Sequence, residues 1–469
     1  MSHLKVKVDQ KLKDEESLAS NVGHQKIYSK EAKGRFATLR IWAVFALLGL
    51  FYGLPWLQWD GRQAVLLDLP ARKFHIFGLT LWPQDFIFLA FLLIIAGMAL
   101  FFFTTLAGRL WCGYACPQTV WTEVFIWIER WVEGDRNKQM KLDKAPMSAK
   151  KFRIKFTKHA GWIIFSAFTG FIFVSYFTPL NDLAHNLFIF ELGAWEVFWI
   201  FFYGLATYGN AGWMREQVCM YMCPYARFQS TMFDNDTLIV AYDEKRGDPR
   251  GGRKKDSDYK AEGLGSCIDC HLCVQVCPTG IDIREGLQYE CIGCSACIDV
   301  CDDVMEKMNY DKGLIKYTTQ NNVDGKPTKL FRPRIAVYGL IMLGLVLTFI
   351  YLMAARVPLH LDILRDRNAI FRETNEGLIE NVYTIKLVNM DEEAHEFLLT
   401  VDGLEGLNME LEQEKIVAQG GEILDLPVRL QIDEADLKQR STPVFFHFQS
   451  TDKDGLMIEG ETRFLGPRQ

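Results

Sequence analysis

The chain has 469 residues, 49% of them apolar and 13% aromatic, and a formal net charge of −6; a mean hydropathy near zero fits neither a wholly soluble protein nor a pure membrane bundle, and the length alone suggests about three domains. From Arg356 onward 12 Lys and Arg stand against 23 Asp and Glu, or −11, whereas residues 1–355 carry 40 against 35, or +5. This balance excludes a dedicated nucleic-acid binder, which needs clustered positive charge for phosphate contacts.

Residues 1–38 are polar and charged without an apolar run, so they read as a mobile arm and not as a cleavable signal peptide. Five windows then lack Asp, Glu, Lys and Arg: 41–59, 86–108, 160–181, 197–214 and 335–355. A bilayer core of about 30 Å takes roughly 20 apolar residues in a helix, and only helices or closed barrels satisfy the backbone in lipid. Five transmembrane helices are therefore expected, the alternative being buried helices of a large soluble core. Lys and Arg number eight in 1–38, eleven in 109–159 and seventeen in 215–334, against three in 60–85 and none in 182–194. The positive-inside rule then puts the N-terminus in the cytoplasm and the tail after the fifth helix across the membrane.

All twelve cysteines fall between Cys112 and Cys301, a grouping that favours metal or redox chemistry over a disulfide scaffold. The first four form a repeat after the second and fourth windows: "RLWCGYACPQTVW" and "REQVCMYMCPYARF", each an Arg followed by C-x3-C-P. On one helix, residues four apart share a face, so Cys112 with Cys116, and Cys219 with Cys223, could each aim two sulfurs at one point. Pro117 and Pro224 should kink or end their helices. Three readings stay open: packing cysteines; a redox-active disulfide, for which the helical spacing is wide; and the preferred one, a site for a soft cation. Thiolate and thioether ligands select Cu(I), and Met214, Met220 and Met222 crowd the second pair.

The other eight cysteines form "CIDCHLCVQVCPTG" and "CIGCSACIDVC", each C-x2-C-x2-C-x3-C. In two-cluster ferredoxins the fourth thiolate of each run ligates the other cluster. Cys267, Cys270, Cys273 and Cys301 are thus assigned to one 4Fe–4S cluster, and Cys291, Cys294, Cys297 and Cys277 to a second. Pro278 follows the first run as the pattern expects, but Asp302 replaces the second Pro, which puts that turn in question. Structural zinc is the alternative, and His271 reads as a solvated neighbour of the ligands. "EGLGS" before Cys267 leads into a cluster loop and not a phosphate turn, so no bound nucleotide is expected. After residue 355 the pattern turns to period two in "NVYTIKLVN", "EFLLTV", "ILDLPVRLQI", "PVFFHFQS" and "GLMIEGETRF". These predict an antiparallel β-sandwich, in which His395 and His447 are ordinary sheet residues and no catalytic constellation is present.

The fold class expected is a multi-domain membrane protein with five transmembrane α-helices, a cytoplasmic two-cluster ferredoxin-like α+β insert and a C-terminal all-β immunoglobulin-like sandwich. Its segments are the arm 1–38, four helices with both C-x3-C-P motifs over 39–235, the ferredoxin-like domain 236–334, the fifth helix 335–355 and a periplasmic sandwich 356–469.

The order of these motifs, with "WDGRQAVLLDLPARKFHIFG" between the first two windows, resembles the cytochrome c oxidase accessory proteins of the CcoG, FixG or RdxA family. That resemblance implies a multi-pass protein of the bacterial inner membrane, an oxidoreductase that reduces Cu(II) to Cu(I) for assembly of a haem–copper (cbb-type) oxidase. It implies two 4Fe–4S clusters on the eight ferredoxin cysteines, copper as a transient guest or substrate, and Cys112, Cys116, Cys219 and Cys223 as the copper-handling, redox-active positions. Membrane lipid, oxidase assembly factors, copper carriers and a cytoplasmic electron donor are the partners it implies; a homodimer is one arrangement open to the chain. Two other functions fit the motifs: a quinol-to-ferredoxin conduit of the C-x3-C-P type, and a non-enzymatic oxidase assembly scaffold.

Overall fold

A computed structural model of the chain describes residues 26–255, 258–367, 369–411, 415–437, 439–453 and 455–467. The first 25 residues of the predicted arm lie outside the described residues. The chain divides into two compact units: one of Met1–Trp56, Ala96–Ser175 and Leu180–Met342, the other of Leu57–Ile95, Tyr176–Pro179 and Leu343–Gln469.

Among the described residues, three helices are long and apolar enough to cross a membrane: Arg35–Trp56, Pro83–Ala107 and Pro333–Ala354. They contain the windows 41–59 (to Trp56), 86–108 (to Ala107) and 335–355 (to Ala354). The other two windows are also helical but differently built. Window 160–181 lies, as far as Val174, on Ala149–Val174, whose first turns carry "KKFRIKFTK". Window 197–214 is divided between an α-helix, Ala194–Thr207, and a π-helix, Tyr208–Met214. The α-helical part has 14 residues, or about 21 Å, well short of the membrane's apolar thickness.

In the first unit, Trp162 packs with Phe125 and Ala211 in a closed aromatic core, and its indole N–H donates to the Phe125 carbonyl at 3.1 Å. The ferredoxin-like part is a two-stranded antiparallel ladder, Leu238–Tyr242 with Ile315–Thr319, packed on the helices Leu272–Val276 and Ala296–Lys307. Val240, Ile283, Ile298, Met305 and Ile315 form its core. The described part of the arm is not loose. Lys26 pairs with the buried carboxylate of Glu129 at 2.7 Å, the Tyr28 hydroxyl donates to Asp143 at 2.7 Å, and the Lys30 N–H donates to the Gln275 carbonyl at 2.7 Å. A buried carboxylate needs a cation, and the arm brings one.

The second unit contains the sandwich. One sheet runs Asn408–Leu411, Ile423–Asp433, Leu378–Asn389 and Leu359–Arg365, with Arg372–Glu373 also on Leu378–Asn389; the other runs Ile416–Ala418, His395–Asp402, Ser441–Ser450 and Met457–Leu465. The five predicted strands are all present. Strands Leu359–Arg365, Arg372–Glu373, Asn408–Leu411 and Ile416–Ala418 were not anticipated, three of them being short edge or flanking pieces. Alternate residues bury Tyr383, Ile385, Leu387, Phe446 and Phe448 between the sheets, as period two requires. His395 is buried between Asp452 at 2.8 Å and Asp391 at 3.2 Å, and His447 lies in Ser441–Ser450.

The connection after the first long helix also folds, as a three-stranded antiparallel sheet, Val65–Asp68, Lys73–Ile76 and Leu79–Leu81, and docks on the sandwich. Lys73 donates to the Gly421 carbonyl at 3.0 Å and stacks over Trp82. Arg62 pairs with Glu392 at 2.5 Å, and Arg356 clamps Asp85 with two bonds of 2.9 and 2.6 Å.

Candidate iron–sulfur site and its thiol neighbours

Each ferredoxin run folds by the same local rule. In Cys267–Cys270 the third residue, Asp269, and the one after the second cysteine, His271, take positive φ of 55° and 54°; in Cys291–Cys294 the matching Gly293 and Ser295 take 68° and 58°. Alternation of this kind turns successive backbone N–H groups inward into a nest that suits anionic sulfur. A helix then starts, Leu272–Val276 in one run and Ala296–Lys307 in the other, carrying the third cysteine of each.

Cys267, Cys270, Cys273 and Cys301 line one cavity, and Cys277, Cys291, Cys294 and Cys297 line another that Cys273 also borders. Each has an empty volume of about 360 Å³. These are the two sets of four expected from the spacing. Among the described residues no three His, Cys, Asp or Glu side chains close round a single ion. Thiols that ring a cavity without meeting at a point suit a multi-iron cluster better than a zinc ion, which draws its ligands to about 2.3 Å. Burial pushes the thiols up, to about 11 for Cys273 and about 12 for Cys291 and Cys301, and Cys297 well above its ordinary value. Metal binding must therefore displace protons here.

His271 is exposed, and its Nδ1 accepts from Arg284 at 2.8 Å. Arg284 is itself buried and bonds Asp282 and Asp269 as well, so a fixed cation stands beside the Cys273 cavity. Asp302 resolves the missing Pro. Where Pro278 follows, the helix Leu272–Val276 stops after five residues; with Asp302 the helix runs on to Lys307, and the Asp302 carboxylate accepts the Gly313 N–H at 2.8 Å.

The C-x3-C-P pairs need a correction. Neither lies on one α-helix. Cys112 sits in the short helix Leu110–Tyr114, and Cys116 is the extended residue before Pro117–Glu133; Cys219 sits in a π-helix, Val218–Met222, and Cys223 is the extended residue before Pro224–Met232. Proline pushes the residue before it out of the α region and is itself at home at the first helical position. Each Pro thus ends one helix and starts the next, and the four-residue helical spacing does not apply. The thiols nevertheless gather: Cys219 interacts electrostatically with Cys116, Cys112 and Cys223. Burial, joined by that mutual repulsion, raises Cys112 to about 11 and Cys219 to about 12. The fully buried Gln229 reaches the Cys112 sulfur at 3.5 Å.

The first motif presses on the second ferredoxin run, and the second motif meets the residue Tyr289 just before it. A Cβ on Gly113 would stand 2.9 Å from the Gly293 carbonyl oxygen and 3.0 Å from the Cys294 nitrogen, so backbone meets backbone where "CGYAC" crosses "CIGC". Arg109, buried, donates to the carbonyls of Tyr289, of Cys291 at 3.0 Å and of Ala226 at 3.0 Å. Tyr289 in turn donates to the Met220 carbonyl at 3.4 Å. Arg109, Gln229, Arg284 and Tyr289 were not singled out from sequence; the one available signal was the Arg that precedes each C-x3-C-P.

Comparison with known proteins places this geometry. Residues 214–320 match a family described as a 4Fe-4S dicluster domain, residues 88–138 a 4Fe-4S binding domain, and residues 349–467 the IG-like fold at the C-terminus of FixG. "Nitrogen fixation protein FixG" of Rhizobium meliloti is 38% identical, over 82% of this chain and 80% of its own. "Protein RdxA" of Cereibacter sphaeroides is 41% identical, over 86% of each. The chain belongs to the FixG/RdxA family. A crystal structure of a FixG-related protein from Vibrio parahaemolyticus is 33% identical and covers 23% of this chain and 95% of its own, with a TM-score of 0.21. A shorter match, 24% identical over 39% of this chain and 52% of the relative, is to "Methylamine utilization ferredoxin-type protein MauN" of Methylorubrum extorquens. As a FixG/RdxA family member the chain is an iron–sulfur oxidoreductase with an electron-transfer role, and the three long apolar helices among its described residues are compatible with a membrane protein. The match over 88–138 holds only two cysteines, Cys112 and Cys116.

Proposed function

We propose that this FixG/RdxA family protein delivers single electrons to Cu(II) at the four C-x3-C-P thiols, one electron per ion, and that the Cu(I) formed serves haem–copper oxidase assembly. The observation that carries the reading is the packing of the first C-x3-C-P motif against the loop of Cys291 to Cys297, through Gly113 and Arg109, with the second motif joined to the residues just before that loop by the hydrogen bond of Tyr289 to Met220. Bound 4Fe–4S groups supply one-electron storage and transfer. Cys112, Cys116, Cys219 and Cys223 offer soft sulfur, with Met220 and Met222 beside the second pair, and such ligands favour Cu(I) over Cu(II). Gln229 offers a polar partner to the Cys112 sulfur, and Arg109 offsets negative charge at Cys112 and Cys219.

In this reading the iron–sulfur part is cytoplasmic, the sandwich periplasmic and the chain crosses the bacterial inner membrane five times, the fourth crossing taking the α-helix Ala194–Thr207 and the π-helix Tyr208–Met214 together. The charge of the connections supports that topology, as does the docking of the connection 57–85 on the sandwich within one compact unit. The donor is a cytoplasmic reductant, and copper carriers and oxidase assembly factors are the acceptors. Replacement of all four thiols by Ser, with both clusters retained by EPR, should abolish cupric reduction by the purified, pre-reduced protein. Undiminished reduction would remove copper from these thiols.

A second reading is a conduit between quinol and ferredoxin-type carriers. It is favoured by the likeness to a ferredoxin-type protein. It predicts quinol-dependent reduction of the clusters that is indifferent to copper.

A further inference from the structure

A cavity opens beside the thiol site, in the first unit. Cys219 forms part of its wall and Cys294 another part, so an occupant lies against a thiol of each centre. Three arginines reach it. Arg215 is paired with Glu129 at 2.7 Å and Arg40 stands 3.6 Å from Glu123. Arg130 also lines the cavity, yet among the described residues its guanidinium makes no hydrogen bond or ion pair.

A half-buried guanidinium with five unused donors is costly unless something accepts from it. Its planar fork matches carboxylate and phosphate oxygens two at a time. The side chains of Thr122 and Gln118 add polar groups to the wall, and Ile126 and Ile292 add apolar surface, the mixture that orients a small ligand. We propose that this cavity binds a small molecule bearing a phosphate or carboxylate group, with Arg130 receiving its charge and the rest of the molecule between Cys219 and Cys294. Burial lowers Arg130 from its ordinary value and the carboxylates of Glu123, Glu31 and Glu129 oppose that shift; Glu123, which also lines the cavity, is shared with Arg40 at 3.6 Å. The site does not depend on copper, and its ligand would report on both centres at once.

The test uses the full chain in detergent with both clusters loaded. Flavin mononucleotide is the phosphate probe and riboflavin its neutral counterpart; succinate is the carboxylate probe and dimethyl succinate its counterpart. Binding is followed by flavin fluorescence or calorimetry, and occupancy by protection of Cys219 from maleimide and by the EPR spectrum of the reduced clusters. One anionic probe should bind about tenfold or more tightly than its neutral counterpart, slow Cys219 labelling and perturb the EPR signal of the cluster next to Cys294. Which probe does so separates phosphate from carboxylate. Arg130→Gln should weaken that binding about tenfold or more, and Arg130→Lys by less. Should Arg130→Gln lose its clusters, the wild-type comparison of anionic and neutral probes on Cys219 labelling still decides. Equal binding of charged and neutral probes, no binding of either anion, or full binding by a folded Arg130→Gln protein would each overturn the proposal. Cupric reduction is not a readout here, so failure of the copper reading leaves this result intact.

Discussion

Gly113 has the smallest side chain in the molecule's most consequential contact. The Gly293 carbonyl and the Cys294 amide are both backbone, so neither can swing aside for a methyl group. Gly113→Ala should cost about 1–3 kcal/mol by overpacking, seen as a lower unfolding midpoint. It should also alter the EPR signal of the cluster held by Cys291, Cys294 and Cys297 while sparing the other. Unchanged spectra for both clusters would mean that the motif and the loop are not coupled. Arg109 works at the same contact with three carbonyls in its fork; Lys cannot reproduce that geometry. At this scale the cysteines were legible because their grouping is local, a matter of two or three residues between ligands. Arg109 and Gln229 were not, since each becomes significant only through partners more than a hundred residues away, and a lone polar residue carries no period to read.

Among the elements, the two ferredoxin runs differ through one residue. Pro278 stops the helix Leu272–Val276, and Asp302 lets Ala296–Lys307 continue for 12 residues. Asp302→Pro should remove a helical hydrogen bond, clash with the preceding turn and cost about 3 kcal/mol. The expected result is loss of the cluster that Cys301 would help to hold, measured as about half the iron per chain. Retention of full iron would show that the helix tolerates the break. The same proline chemistry explains why the thiol pairs were legible as motifs but misjudged as helices. C-x3-C-P was read with helical spacing, whereas Pro117 and Pro224 force Cys116 and Cys223 into extended backbone. Composition likewise located five apolar windows, yet it could not reveal that 197–214 changes to a π-helix half-way. The four strands not foreseen in the sandwich are mostly short, and the sheet at 65–81 has strands of three or four residues, below the length at which alternation is visible.

For the whole molecule, Glu129 ties distant parts of the chain together. Burial alone would raise its carboxyl, but Arg215 and Lys26, with Lys158, hold it down to about 2 from an ordinary 4.5. A carboxylate depressed in the fold stabilises it fully above the unfolded value, and that stabilisation is lost as pH falls from about 4.5 toward 2. The amount is about 3 kcal/mol. Glu129→Gln should flatten this acid dependence and, by stranding buried cations, lower stability at neutral pH by a similar amount; survival of helical circular dichroism in detergent across pH 2–7 measures both. A variant as acid-sensitive as the parent would assign the effect to other carboxylates. A different ion pair governs how the protein can be dissected. Asp85, 7% exposed, opens the second long helix and depends on Arg356, which follows the fifth window. Severing the polypeptide ahead of Arg356 would strip that carboxylate of its counter-charge inside folded surroundings. The remainder left behind inherits an orphaned anion, and engineered short forms would need Asp85 neutralised as well.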